Sequence, residues 1–446
     1  MGIFLCLRSK HNPTCGKNKK EERFILMKKL LSVVLAVLML AVMLPVSALA
    51  AEGYVTVSGI KGFEGQQFAS FAEAYAAIKP TMETLGLGEE TPVNAEAFDA
   101  LFTDVTDGKA TLTYTISGNV TYDEASCKNL LTMGRKTSHY LTNERHLINF
   151  KFVGATGRDS DTLTVNSDIT LPYEWWGEKT TTSISFENLT ITGTAPSGLY
   201  PTQKFFEGIN FKVDNCKLEG IKIYNCSNVG GSYTITNNIF DGTNAPQNAY
   251  AIHLQGNETA PLTINISNNT ISGYDRGINI DQKTAAATIS NNNISVKDTG
   301  RSCIQLTRLA STKVENNTMN LTGGNAITLH EELLKCAKPE ITVSGNTING
   351  TGYLIYDDAT ANNKSFTNDN LTLTITEDNT VAKTVDITQG VKGSTKYGMS
   401  EIVKTKVENN VVPGGSTGGT IVIVPDRTED TPKTEPEKNP TTGAND

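Results

Sequence analysis

The sequence predicts an all-β solenoid because a short phrase recurs along it, asparagines occupy one position of that phrase, and an alternating strand follows most copies. Full copies of the phrase span 186–193, 213–220, 235–242 and 266–273, and shorter copies span 289–294, 314–319, 343–348 and 407–412. Recurrence of this kind is typical of a chain built from stacked coils, in which each coil contacts only its neighbours.

Each copy reads as two strand segments joined by a bend. Positions one and six of the phrase are apolar and are expected to face a core, whereas position two is polar. Position three is Asn in every copy except one, where it is Gly345. Asn and Gly tolerate a left-handed backbone, so position three is where we expect the chain to bend.

Position four is expected to point inward again, and its residue type changes along the chain. It begins as Leu189 and Cys216 and then becomes asparagine. A buried amide without a partner costs about 1–3 kcal/mol, so stacked asparagines are expected to bond each other and the backbone of neighbouring coils. The predicted ladder consists of Asn238, Asn269, Asn292, Asn317, Asn346 and Asn410.

A second strand with alternating apolar and polar residues follows most copies of the phrase. These strands are predicted at 221–223, 252–254, 278–280, 304–306, 327–329 and 354–356. With them, the chain resembles the right-handed parallel β-helix class, the pectin-lyase-like fold of pectate lyases and polygalacturonases, which carries an asparagine ladder at its tight turn. The resemblance covers residues 110–412 and implies a fold that many unrelated functions share. A β-propeller is the alternative, although its blades are longer than these coils.

The first fifty residues are expected to lie outside the mature fold. Residues 1–26 are interpreted as upstream sequence translated from a mis-called start. Residues 27–50 are interpreted as a secretory signal peptide, because a basic start precedes the apolar run 30–44 and small residues precede a cleavage position before Ala51. The apolar run is short for a membrane span.

Residues 51–110 are predicted to form a short α-helical cap on the β-helix, which is expected over 111–412. A helix is predicted at 68–78, stopped by Pro80, and another near 95–102. A solenoid must cover its first coil, because the open end exposes core and unpaired strand edges. A small separate domain is the alternative. The first strands are predicted at 110–117, 147–152, 162–165 and 182–186.

Residues 413–446 are expected to form a Gly/Ser linker and a disordered tail rich in Thr, Pro and Glu. The tail contains Asn439, Pro440, Thr441, Thr442 and Gly443, which resemble the sorting motif of Gram-positive surface proteins. That resemblance implies a sortase partner and cell-wall attachment. The family pattern continues with an apolar span and a basic tail, which do not follow Gly443 here, so truncation and absence of attachment both stay open.

Net charge and cysteine content exclude some classes of function. The chain carries a formal charge of −8, and residues 1–50 hold eight basic and two acidic residues, which leaves about −14 for the remainder. This disfavours nucleic-acid binding, which needs basic surface, and disfavours an anionic polysaccharide unless local cations intervene. After residue 50 the cysteines are Cys127, Cys216, Cys226, Cys303 and Cys336. None has metal-site spacing, so no metal is expected, and a Cys216–Cys226 disulfide stays open.

In this fold class, ligands lie along one exposed strand face. The second strands are predicted to present one outward column of Lys222, His253, Asn279, Gln305, Thr328 and Ile355, and another of Tyr224, Gln255, Asp281, Thr307, His330 and Asp357. Predicted ligand-binding residues are Lys222, Tyr224, His253, Gln255, Asn279, Asp281, Gln305, His330 and Asp357. Amides, hydroxyls and aromatic rings suit sugar hydroxyls, and a plain solvated face is the alternative. Trp175 and Trp176 either stack on sugar or cover the flank of the helix.

The catalytic candidates are His330 with Asp357, and Arg308 with Asp281. A glycoside hydrolase needs two carboxyl groups about 5–9.5 Å apart, whereas Asp281 and Asp357 are expected about 14 Å apart, three coils away from each other. Asp357-Asp358 resembles the paired aspartates of polygalacturonases, but the Gly-His-Gly and Arg-Ile-Lys elements of that family are absent, as are the pectate-lyase signatures. No cofactor is expected, apart from calcium if the protein is a lyase.

The preferred hypothesis is a secreted or wall-attached bacterial surface protein that presents a β-helical surface for recognition of an extracellular polysaccharide or of a host or bacterial glycan. The alternatives are a polysaccharide lyase or glycoside hydrolase, and an inert structural stalk. No integral membrane segment is expected in the mature chain.

Overall fold

The computed structural model describes residues 53–85, 95–106, 109–123, 147–167, 169–170, 181–194, 198–200, 208–227, 230–256, 261–297, 301–387, 399–411 and 414. The predicted upstream segment, the predicted signal peptide, the Trp175–Trp176 pair and the predicted sorting motif lie outside these residues. Within the described ranges, no helix has both the length and the apolar character of a membrane span.

The fold is a right-handed parallel β-helix, as the sequence predicts, and each coil contributes up to three strands. The first column belongs to a 12-stranded sheet: β1 (Tyr54–Ser58), β2 (Gln66–Phe68), β3 (Lys109–Ser117), β5 (Leu147–Gly154), β8 (Thr181–Glu187), β11 (Gly208–Asp214), β14 (Gly230–Thr236), β17 (Leu262–Ser267), β20 (Ala285–Ser290), β23 (Ser311–Glu315), β25 (Glu340–Ser344) and β27 (Thr372–Ile375). All strands pair in parallel except β1, which is antiparallel to both β2 and β3.

A 17-stranded sheet contains the other two columns. The second column is β4 (Asn119–Thr121), β6 (Thr162–Val165), β9 (Thr190–Gly193), β12 (Lys217–Glu219), β15 (Ile239–Asp241), β18 (Thr270–Ser272), β21 (Asn293–Ser295) and β28 (Thr380–Val381). The third column is β7 (Ile169–Thr170), β10 (Leu199–Tyr200), β13 (Ile223–Ser227), β16 (Tyr250–Gly256), β19 (Arg276–Asp281), β22 (Ser302–Arg308) and β29 (Val385–Asp386). Strands β24 (Thr318–Leu329) and β26 (Thr347–Asp357) run through both columns.

The helices lie at the ends of the solenoid and in its loops. They are α1 (Phe71–Thr84), α2 (Ala95–Leu101), α3 (Asp358–Ala361), α4 (Glu401–Asn410) and a 3-10 helix (Glu331–Lys335).

Position one of the phrase forms a continuous file of buried side chains inside the first column. Its paired residues include Phe152, Phe186, Val213, Ile235, Ile266, Ile289, Val314 and Val343, all buried. At the N-terminal end the file is aromatic, since the rings of Phe152 and Phe186 stack with centroids 5.0 Å apart. Phe71 of α1 packs on the same stack, with its ring centroid 5.2 Å from that of Tyr114. The cap therefore continues the core of the coils.

Position three has a left-handed backbone in every coil where the phrase forms a turn, as predicted. The φ angles are 57° at Asn188, 53° at Asn215, 60° at Asn237, 58° at Asn268, 55° at Asn291, 56° at Asn316 and 62° at Gly345. Asn and Gly adopt this conformation at lower cost than other residues. The chain therefore turns from the first column to the second at the same place in successive coils.

The asparagines at position four form a buried ladder from Asn238 to Asn346. The Oδ1 atom of Asn238 accepts from Cys216 N at 2.8 Å. From Asn269 onward, each Oδ1 accepts from both the backbone N–H and Nδ2 of the preceding asparagine, as where Asn292 Oδ1 lies 2.9 Å from Asn269 N and 2.9 Å from Asn269 Nδ2. The second Nδ2 hydrogen is donated to a main-chain carbonyl, such as Ile266 O at 2.9 Å from Asn292 Nδ2. Each rung thus satisfies a buried N–H that no strand neighbour reaches.

The prediction that Asn410 belongs to the ladder is wrong. Asn410 ends helix α4, and its Nδ2 donates to Lys406 O inside that helix. The last rung is instead Asn379, whose Oδ1 lies 3.0 Å from both Asn346 N and Asn346 Nδ2. Its turn between Ile375 and Thr380 contains one residue more than the other turns, so it departs from the repeated phrase.

Cys216 lies above the first asparagine rung as a buried free thiol, so the Cys216–Cys226 disulfide is not formed. Burial raises the pKa of this thiol to about 12. Cys303 is also free and buried, at a position where Gly277 and Ala326 stand in neighbouring coils. These cysteines fill space in the core.

Helix α1 is longer than predicted, because it continues through Pro80 to Thr84. Proline removes one intrahelical hydrogen bond, but the last turn buries Met82, which contributes about 1.5–3 kcal/mol. Thr84 Oγ1 also donates to Pro80 O at 2.8 Å. The N-terminus of the helix is capped by Ser70, which accepts from Glu73 N.

The described chain also ends in a helix that the sequence did not predict. Helix α4 buries Val403 and Val407 at the end of the solenoid, where β27 is the last strand of the first column. Residues 401–410, expected to be part of the final coil, therefore serve as a cap.

Replacing Asn292 by Ala is expected to lower the free energy of unfolding by about 2–4 kcal/mol, because it leaves the buried Asn269 N–H and Ile266 O without their partner. Urea denaturation measures the loss. The control is Asn291→Gly, which keeps the left-handed turn at an exposed position and should change stability by a few tenths of a kcal/mol. Equal losses in the two variants would contradict a ladder role for Asn292.

Replacing Thr312 by Val is expected to stabilise the protein by about 1 kcal/mol. Thr312 is 2% exposed, and its Oγ1 has no hydrogen-bond partner among the described residues. The control Thr312→Ser keeps the hydroxyl and removes a methyl group, so it should destabilise by about 1 kcal/mol. Thermal unfolding of the wild type and the two variants measures these changes. A lower unfolding midpoint for Thr312→Val than for the wild type would contradict a buried hydroxyl without a hydrogen-bond partner.

Candidate functional site

The outer face of the third column carries a file of polar and aromatic side chains, which we call the polar strip. Strand pairing places Tyr224 beside His253, His253 beside Asn279, Asn279 beside Gln305, Gln305 beside Thr328, and Thr328 beside Tyr356. Each follows an inward Ile residue of its strand, such as Ile278 or Ile304, and so points to the other side of the sheet. Asn279 and Thr328 are buried, and the other four are half-buried.

The structure corrects the predicted columns at both ends. Lys222 was expected beside His253, but Ile223 pairs with Ile252, so Tyr224 occupies that place and Lys222 precedes the strand. At the other end, Ile355 pairs with Ile327 and faces the core, so Tyr356 is the outward residue.

Asp357 does not belong to the outer face, contrary to prediction. It pairs with Leu329, is fully buried, and caps helix α3 by accepting from Ala359 N at 3.1 Å and Thr360 N at 3.3 Å. Its other oxygen accepts from Ser400 N at 2.7 Å. Burial raises the pKa of this carboxyl group, against the lowering effect of these hydrogen bonds. Asp357 therefore joins the last coils to the C-terminal cap.

The predicted His330–Asp357 pair is not present, and His330 pairs with the next aspartate instead. His330 Nε2 lies 3.4 Å from Asp358 Oδ2, and its Nδ1 accepts from Glu332 N at 3.2 Å as the cap of the 3-10 helix. Both ring nitrogens are thus engaged in holding two loops together. This arrangement is typical of a structural histidine.

The predicted pair of Arg308 and Asp281 is present. Arg308 Nε lies 2.5 Å from Asp281 Oδ1, and a bulge at Thr307 brings the two residues opposite each other. Asp281 is nearly buried, so its charge is compensated within the protein. A carboxylate held in this way is less available as a nucleophile or base.

Hydrogen bonds connect several coils along the middle of the polar strip. Tyr250 Oη accepts from Arg276 Nη1 at 2.9 Å and donates to Gln305 Oε1 at 3.0 Å. Gln305 Nε2 donates to Thr307 Oγ1 at 3.0 Å, and Thr307 Oγ1 donates to Asn279 Oδ1 at 2.8 Å. The network fixes the direction of each amide and hydroxyl before any ligand arrives.

At the N-terminal end of the strip, two cations flank a row of rings, and we call this group the basic–aromatic end. Tyr224 and His253 lie 5.0 Å apart between ring centroids, and His253 and Tyr250 lie 4.9 Å apart. Lys222 Nζ lies 5.5 Å from the Tyr224 centroid, and the Arg276 guanidinium carbon lies 4.8 Å from the Tyr250 centroid. Both contacts have cation–π geometry.

His253 is neutral at physiological pH. Burial, with a smaller contribution from the charges of Lys222 and Arg276, lowers the pKa of His253 to about 4 against the opposing effect of Asp281. A neutral imidazole accepts and donates one hydrogen bond each, so His253 adds to the uncharged polar character of the strip.

Tyr250, Arg276 and Tyr356 were not among the predicted ligand-binding residues. Tyr250 and Arg276 each stand two positions before an inward isoleucine, Ile252 and Ile278. Strict alternation would place both on the inner face, so the sequence pattern gave no signal for either residue. Among the described residues, no three His, Cys, Asp or Glu side chains form a group that could hold a metal ion.

Comparison with known proteins supports the fold. The family model described as "Right handed beta helix region" matches residues 197–371, which include the polar strip. No curated protein and no solved structure gives a significant match to the chain.

Replacing His253 by Gln is expected to make stability less sensitive to acid. The folded-state pKa of His253, about 4, lies below the ordinary value of 6.5, so the unfolded chain binds the proton first. Stability from the neutral form is fully present above pH 6.5 and is lost as the pH falls from 6.5 to about 4. Urea denaturation at pH 7.5, 6, 5 and 4 gives the free energy of unfolding of the wild type and the variant, and the difference between the two is compared across these pH values. A difference that stays constant across this range would contradict a buried neutral His253.

Proposed function

We propose that this protein is a secreted or wall-attached bacterial surface protein whose polar strip binds an extracellular glycan. Export is supported by the signal-peptide pattern at 27–50, and wall attachment by the sortase-like motif at 439–443. Recognition is supported by the composition of the strip, where tyrosine rings, amides and hydroxyls lie side by side on consecutive coils.

The hydrogen-bond network from Arg276 to Asn279 is the observation that carries this proposal. It runs through Tyr250, Gln305 and Thr307, so its polar groups are ordered across three coils by the protein itself. Preorganised polar groups lose little conformational entropy on binding. A ligand with many hydroxyl groups at regular spacing, such as a glycan chain, suits a surface that repeats about every 4.8 Å.

Binding is favoured over hydrolysis by the states of the two predicted catalytic carboxylates. Asp281 is paired with Arg308, and Asp357 is buried as a helix cap. A glycosidase needs an acid and a base, or an acid and a nucleophile, that both reach the scissile bond. An inert stalk would not require the ordered network on one face.

Replacing Gln305 by Ala is expected to weaken glycan binding about tenfold, because loss of a direct hydrogen bond in an ordered network is worth about 1.4 kcal/mol. A glycan array first identifies the ligand of the full chain, and isothermal titration calorimetry then measures the dissociation constants.

The matched control is Asn265→Ala, which removes a carboxamide from the exposed face of the first column and should leave the affinity unchanged. Thermal unfolding verifies that both variants fold. An array without any bound glycan, or equal weakening by both substitutions, would refute glycan binding by the polar strip.

A further inference from the structure

The basic–aromatic end of the polar strip contains two cations that have no carboxylate partner within the described part of the chain. Neither Lys222 nor Arg276 forms an ion pair with any described residue, although both are only partly exposed. Arg276 Nε is buried without a hydrogen-bond partner among those residues. The Asp281 carboxylate raises the pKa of His253, and both cations act on His253 in the opposite direction, since each lowers its pKa. Two positive charges without an ion-pair partner among the described residues therefore lie along one short segment of the strip.

The nearby carboxylates are engaged elsewhere. Asp281 pairs with Arg308. Asp275, which precedes Arg276, accepts from Asn248 N and lies 3.5 Å from Lys297 Nζ. The basic–aromatic end therefore stays positive although the whole chain carries a formal charge of −8. A local positive region on an acidic protein attracts an anionic group to one place and leaves the rest of the surface unfavourable to it.

The strip beyond this end offers uncharged groups. Gln305 and Tyr356 are its half-buried side chains on later coils, Thr328 lies buried between them, and Asn279 lies buried on the coil before Gln305. Arg308 is neutralised by Asp281 there, and His330 is next to the carboxylate of Asp358. An anionic group bound over this part would meet the carboxylates of Asp281 and Asp358, each already beside a basic side chain.

We propose that the ligand is a heteroglycan with an acidic sugar at the basic–aromatic end and uncharged sugars along Gln305 and Tyr356. This inference rests on the proposed function and specifies its ligand. A carboxylate or sulfate group can bond to the guanidinium of Arg276 or to the Lys222 ammonium in the strong charge-assisted manner. Lys222 and Arg276 belong to coils two steps apart, roughly 10 Å along the axis, a span comparable to a disaccharide. A polymer with a charge on every sugar would place further charges over the uncharged part.

Three oligosaccharides of equal length distinguish the classes: hyaluronan, in which acidic and neutral sugars alternate, polygalacturonate, which is acidic throughout, and chitin oligosaccharide, which is neutral. Isothermal titration calorimetry with the full chain, at low and moderate salt, gives the affinities. The expected result is at least about tenfold tighter binding of hyaluronan than of the other two, with an affinity that falls as salt rises.

The double variant Lys222→Gln/Arg276→Gln is expected to lose this preference and the salt dependence. Its control, Lys313→Gln/Lys383→Gln, makes the same change in net charge at exposed positions outside the strip and should keep both. Thermal unfolding verifies folding, and a weaker single variant, Lys222→Gln, keeps the test available if Arg276 is needed for stability.

The outcomes separate this inference from the proposed function. Tightest binding of the neutral or the fully acidic oligosaccharide, or an unchanged preference in the double variant, would overturn the inference and leave glycan binding intact. Absence of binding to all three and to the glycan array would overturn both.

Discussion

The structure depends on satisfying one backbone N–H group at each turn between the first and second columns. The left-handed residue at position three takes the next N–H, that of position four, out of the strand ladder. A buried N–H without a partner is costly, and the side chain of the next rung accepts it, as Asn317 Oδ1 does for Asn292 N at 3.0 Å. The same oxygen accepts from the side chain of Asn292. Each rung therefore needs the next one, and the ladder keeps successive coils in register.

The register of the third-column strands decides which residues share the outer face. The sequence does not determine this register. Ile221 and Ile223 are both buried and lie two positions apart, so an alternating pattern cannot tell which of them begins the strand. The predicted register was therefore wrong by two residues. Lys222 was assigned to the correct face, but to the place beside His253 that Tyr224 occupies. At the other end, Leu354 and Ile355 are both buried, so the pattern does not show which of them begins the alternation. The predicted register was wrong by one residue there, and it assigned the buried Asp357 to the surface. The bend and the ladder were predictable because they rest on residue types with strong backbone preferences.

Identical residues form the turn in one coil and the end of a helix elsewhere. Val-Glu-Asn-Asn occurs at 314–317, where it ends β23 and bears a ladder rung, and at 407–410, where it ends α4. At the second site, Val403, Val407 and Val411 are buried at intervals of four, which is the helical period. Tertiary context therefore outweighs the local phrase. Asn379 is the opposite case. It is a ladder rung, but the additional residue in its turn breaks the repeated phrase, so the phrase did not identify it.

The constancy of the ladder turn and the variability of the other corners support the proposal that function lies on the third column. From β14 to β26, the turn between the first and second columns always contains two residues, for example Asn268 and Asn269. The connections around the third column vary, from two residues between β22 and β23 to fourteen between β26 and β27. Variable loops beside a rigid strand face are where binding residues are most often found. The polar strip lies on this face, so its side chains are free to differ between coils while the asparagine ladder holds their spacing. Such a scaffold can therefore carry cations at one end of the strip and amides further along. A ligand with identical sugars throughout would not need two different kinds of side chain to bind it.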